Sequence, residues 1–87
     1  MIFRKLQGVR VPEEQQGLIR FTCLNYNRIS KRTQQKIVSL CESIGGEYSS
    51  ALFDVMCSKS SISRIALKHN VSESVLYSLR KQFYESW

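Results

Sequence analysis

Between Pro12 and Trp87 apolar residues recur mostly at three- and four-residue intervals, the repeat of one helix face. Met1 to Val11 has no clear period and reads as a basic arm or a short strand. Pro12-Glu13-Glu14 suits the first turn of a helix: proline needs no N–H there, and acids favour the positive dipole end. Gln15 to Leu24 fits two patterns. Leu18, Phe21 and Leu24 follow a helix, whereas Ile19, Phe21 and Cys23 follow a strand. A helix is expected, because nothing nearby offers a partner strand, although Gly17 weakens it by ~1 kcal/mol relative to alanine.

Asn25 to Arg28 is a turn-rich connector. Ser30 is a good N-cap, with Ile29 before it as a hydrophobic staple. The spacing of Ile37, Leu40, Cys41 and Ile44 predicts a helix over 31–44, stopped by Gly45-Gly46. Tyr48, Leu52, Val55 and Met56 predict another over 47–57, followed by the polar link Ser58 to Ser61.

Ser61 to Lys81 carries the most specific pattern. Ala66 supplies the small residue needed where two helices cross closely. Asn70 tolerates a left-handed turn conformation better than most residues. Val71 plugs the angle between the helices, and Ser72 caps the second one. Ile65, Leu76 and Leu79 complete the inner face, and Phe83 extends it. This is the layout of a helix-turn-helix over 61–85. The expected fold is therefore all-α, a small multi-helical domain of about four or five helices. One domain spans 1–87: a basic arm over 1–11, supporting helices over 12–57 and the helix-turn-helix over 61–85.

The 87 residues suit a single small domain, and 43% hydrophobic content suffices for a modest core. No apolar run approaches the ~18–20 residues a membrane helix needs, and the first residues are too charged for a signal peptide, so a cytoplasmic protein is expected. Cys23, Cys41 and Cys57 are far apart and odd in number, and His69 has no partner at ligand spacing. Buried thiols are expected, with no metal or other cofactor. No catalytic constellation frames His69, so an enzyme is not expected.

The net charge of +6 is unevenly distributed. Residues 1–40 hold eight basic and two acidic side chains, whereas residues 41–87 hold five of each. A basic balance favours phosphate partners, and here the first half supplies it. On the second helix of the elbow, Ser72, Glu73, Ser74, Tyr77, Ser78 and Lys81 point away from the core. Serine and lysine suit base-edge or phosphate contact. Ser72, Ser74, Tyr77, Ser78 and Lys81 are the expected groove-facing set. Lys59, Arg64, Lys68 and Arg80, with Lys31, Arg32 and Lys36, are the expected phosphate-facing set. Arginine, asparagine and glutamine are missing from the front turns of this helix, which implies modest base reading supplemented by DNA shape or by cooperative binding. Tyr84 and Trp87 share a stripe with Tyr77 and Arg80; packing onto the N-terminal segment and a dimer contact are the two readings.

Across 51–83 the chain resembles the PapB-type adhesin-biosynthesis regulators of enteric bacteria. The likeness rests on Asp54-Val55-Met56-Cys57, the polar link to Ser61, and Ile65-Ala66-Leu67-Lys68-His69-Asn70-Val71-Ser72. Pro12-Glu13-Glu14-Gln15 with Leu18-Ile19 is a weaker echo of the family's N-terminal part. KorA-type plasmid repressors are similar in helical layout. The resemblance implies a small helical, oligomerising protein that binds double-stranded DNA and controls fimbrial operons. The family's basic residues stand where this chain has Ile62-Ser63, and its glycine where this chain has Asn70. That shifts the expected basic contacts to Lys59, Arg64 and Lys68, or to the helix carrying Lys31 to Lys36. The rival reading is a protein-interaction module on the same scaffold, which the neutral second half favours.

Overall fold

Proline at the head of the first helix sets where regular structure begins. In the computed structural model, which describes residues 10–87, the Pro12 carbonyl accepts the Gln16 N–H at 2.9 Å. Helix α1 runs Glu13–Leu24. The strand reading of this segment is thereby excluded. Its inner face differs from the expected one: Gln16, Ile19 and Cys23 are buried, while Leu18 and Phe21 are 64% and 59% exposed. The buried amide of Gln16 is accommodated by donating to the Val11 carbonyl at 2.7 Å. Val11 is itself buried, and Arg10 N–H donates to Glu85 at 3.1 Å, so these two residues of the expected arm lie against the fold. The rest of that arm, residues 1–9, lies outside the described residues.

A 3₁₀ turn, Tyr26–Arg28, leads to α2, Lys31–Gly45. Ser30 caps it, its hydroxyl accepting the Thr33 N–H at 3.3 Å. Ile37 and Cys41 are buried, with Leu40 and Ile44 packed beside them. The helix stops at Gly46, whose φ of +54° is a conformation that side chains disfavour. The helix expected over 47–57 is divided: a second 3₁₀ turn, Gly46–Tyr48, precedes α3, Ser49–Cys57. Ala51, Leu52, Val55 and Met56 of α3 are all buried.

Helix α4 spans Ile62–His69 and α5 spans Glu73–Ser86. Every regular element among the described residues is thus a helix, as the periodicity predicts. Helix α3 packs on α1, α2, α4 and α5, which makes this short apolar element the centre of the molecule. Helix α5 also packs on α2 and α4, and buries Leu76, Leu79, Phe83 and Tyr84. Full burial of a side chain such as Phe83 contributes roughly 1.5–3 kcal/mol.

One polar interaction ties the first helix to the third. The last carbonyls of a helix have no partner inside it. The Arg20 guanidinium of α1 donates to the carbonyl oxygens of Val55, Met56 (2.7 Å) and Ser58 (2.9 Å) at the end of α3.

Candidate nucleic-acid interface

The elbow between α4 and α5 is built as its residues dictate. Ser61 caps α4 by accepting the Arg64 N–H at 3.2 Å. Asn70 ends the helix in the left-handed conformation, φ 55° and ψ 49°. The chain then reverses, and Val71 N–H donates back to the Ala66 carbonyl at 3.0 Å. Ser72 caps α5 through Val75 N–H at 3.4 Å. Ile65, Ala66, Leu76 and Leu79 are buried between the two helices and α3, and Val71 is half-buried against them.

Burial of that inner face leaves the other face of α5 in solvent. Ser72, Ser74, Tyr77, Ser78 and Lys81 are all exposed, so the structure brings the expected groove-facing residues together on one surface. Two of the hydroxyls engage each other, with Ser72 Oγ 3.3 Å from Ser74 Oγ. Glu73, the awkward acid in this row, is tied back across the elbow by the Ser63 hydroxyl at 3.1 Å.

The basic set is more scattered than expected. Lys59 and Arg64 are exposed. Lys68 is exposed too, but its Nζ lies 3.3 Å from Asp54 Oδ2, which partly neutralises it. His69 Nε2 lies 2.6 Å from the same oxygen and is half-buried. Burial alone raises the Asp54 carboxyl; the hydrogen bonds from His69 and Lys68 outweigh it and hold the group below the ordinary carboxylate value. Arg64 and Lys68 line a groove with Asp54 and Ser58, whereas Ser63 and Leu67 line another with Ser72 and Glu73. Successive residues on a helix are about 100° apart, so α4 carries its charges on one stripe and its contact to the start of α5 on the next.

Arg80 departs from the expected phosphate-facing role. It is half-buried, its guanidinium carbon 5.0 Å from the centre of the Tyr77 ring, and burial pulls it below the usual arginine value. Its cation thus lies against the Tyr77 ring. Lys31 and Arg32 are exposed at the start of α2. Lys36 is exposed as well, but its ammonium sits 4.1 Å from the centre of the Trp87 ring. Trp87 follows α5 and Ser72 precedes it, so Lys36 stands at the far end of the helix from the elbow, roughly 20 Å away for 14 residues.

Of the two readings of the aromatic stripe, packing holds for Tyr84, which is 2% exposed and inside the chain; a dimer contact through its ring is excluded. Trp87 is half-buried, packed near Phe83 with 6.0 Å between ring centres.

Two residues outside the expected set belong to this surface, Ser63 and Leu67. Leu67 is 83% exposed. The only sign of it in the sequence is its place one helical turn after Ser63, away from Ile65 and Ala66. Among the described residues no group of three or more side chains is arranged to hold a metal ion, and no helix is long and apolar enough to cross a membrane.

In comparisons with known proteins, no family model, curated protein or solved structure matches the chain. The likeness to the PapB-type and KorA-type regulators rests on the residues quoted for it alone.

Proposed function

We propose that this chain is a double-stranded DNA-binding transcription regulator that lays α5 in the major groove. It is a binding module, and no step of chemistry is assigned to it. The elbow carries this reading. A left-handed Asn70 and a capping Ser72 set α5 against α4, and the outer edge of α5 presents hydroxyls, a phenol and Lys81, with the Glu73 carboxylate turned toward Ser63. Such an edge suits phosphate and base-edge contact. The net charge of +6 supports long-range attraction to phosphate. Lys59, Arg64, Lys31 and Arg32 are exposed cations available for backbone contact. Binding as an oligomer, in the cytoplasm and at fimbrial operons is the extension that the PapB-type resemblance suggests.

The test is selection of bound duplexes from a random pool, with affinity for the winner then measured against salt. A log–log slope near −0.9 for each phosphate contacted is expected. Absence of any enriched sequence, or affinity indifferent to salt, refutes the reading.

A protein-interaction module is the second reading. The exposure of Leu18 and Phe21 on α1 favours it, since apolar side chains grouped at a surface mark partner sites.

A further inference from the structure

We propose that Leu67 is a specificity-determining residue that reads the C5-methyl group of a pyrimidine in the major groove. The inference rests on the DNA-binding reading above and names what that site recognises. Thymine is the standard base that offers such a methyl; 5-methylcytosine offers the same group.

Leu67 is 83% exposed, the most solvent-facing large apolar side chain among the described residues. It lines a shallow groove of about 530 Å³ whose other walls include Ser63, Ala66, Val71, Ser72 and Glu73. That groove opens beside the first turn of α5, the end that enters DNA in this docking geometry. An exposed leucine contributes nothing to the core here, and covering it with a methyl group from a base removes apolar surface from water on both sides.

Of the polar groups that line this groove, Ser63, Asn70, Ser72 and Glu73, three hold hydrogen bonds within the chain. Glu73 accepts from Ser63, and Ser72 caps Val75 N–H. Between Ser72 and Leu79 there is no arginine, asparagine or glutamine, so the usual bidentate readers of guanine and adenine are missing from the front of α5, and Asn70 is the one amide that lines the groove with Leu67. Leu67 is the exposed apolar wall of this groove, beside the hydroxyls and the Asn70 amide, and the apolar feature of the major groove that it can meet is the pyrimidine methyl.

The experiment uses the full chain and the duplex selected above, synthesised in three forms: with thymine, with deoxyuridine replacing thymine, and with 5-methylcytosine replacing cytosine. Loss of a thymine methyl facing Leu67 is expected to weaken binding about fourfold, the factor that corresponds to ~0.8 kcal/mol per buried carbon group. A fourfold gain in the 5-methylcytosine form instead assigns the methyl to a modified cytosine and supports the same contact. In Leu67→Ala the forms should bind equally, with the thymine duplex as weak as the deoxyuridine duplex is for the unaltered protein. Leu67→Gln, of similar length but polar, should behave alike, and circular dichroism checks that both fold. Equal binding of all three forms by the unaltered protein, or a preference that persists in both variants, overturns the inference while leaving DNA binding intact. Failure to bind any duplex removes the DNA reading and this inference together.

Discussion

Replacing Arg20 with methionine tests the tie between α1 and α3. Methionine keeps most of the aliphatic stem and removes the guanidinium. The carbonyls of Val55, Met56 and Ser58 then lose their donor, and the first two belong to the last turn of α3, where no intrahelical partner exists. A hydrogen bond to a charged group is worth about 1.5–3 kcal/mol. Three such bonds do not add in full, because they share one donor group and the arginine is only half-buried. A loss of ~3 kcal/mol is the expected net effect, near the upper end for a single substitution. In a domain of this size that lowers Tm by roughly 12–24 °C. The assay is urea unfolding followed by far-ultraviolet circular dichroism, with the slope against denaturant compared between variants. Arg20→Lys keeps one charge but cannot span three carbonyls, and should fall between the two, at ~1–2 kcal/mol. A loss below ~0.5 kcal/mol for Arg20→Met, at unchanged slope, would refute the view that this side chain holds the third helix to the first.

Three further outcomes follow from the same geometry. The half-buried Cys57 thiol receives a hydrogen bond from Cys23 that outweighs its desolvation, and with Arg20 nearby its value falls below the ordinary 9.0. Cys57 should therefore be alkylated first as pH rises. Cys41, which burial pushes up to about 12, and Cys23, raised further by its bond to Cys57 and by burial, should stay unlabelled until the protein unfolds; mass spectrometry of timed samples reads this. Asp54 has a depressed value in the folded state, so its stabilising effect is present above the ordinary 3.8 and is lost as pH falls through the lower folded value. Asp54→Asn should accordingly cost ~1 kcal/mol near pH 6, converging on the unaltered protein as pH falls through the lowered folded value, by thermal melts across pH. Asn70 sits at φ 55°, so Asn70→Ala should destabilise by ~1 kcal/mol while Asn70→Gly leaves stability within ~0.5 kcal/mol; equal losses in both would place the cost in the side chain and not in the backbone.

The elements that repeat a local rule were readable from the residues themselves. Ser30 and Ser72 each sit before a run of helical spacing, and each caps a helix through its own hydroxyl; Ser61, read only as part of a polar link, does the same for α4. Asn70 and Gly46 stop helices because few residues accept a positive φ, a constraint that acts within a few bonds. Ala66, Leu76 and Leu79 share one inner face by spacing alone, and the exposed row from Ser72 to Lys81 is its complement. Partners distant along the chain decided the rest. On α1, Leu18 and Phe21 are as apolar as Ile19 and Cys23; the α3 surface selects which pair is buried, and the Val11 carbonyl lets Gln16 go in with them. Arg20, Lys36, Lys68 and Arg80 all count as surface cations by type. Three carbonyls, a tryptophan ring, a carboxylate and a tyrosine ring separated from or grouped beside them by the fold give each a different task. Periodicity says which positions of a helix are alike, but only packing says which way the helix is turned, because rotating it costs nothing until another surface is present to bury one side.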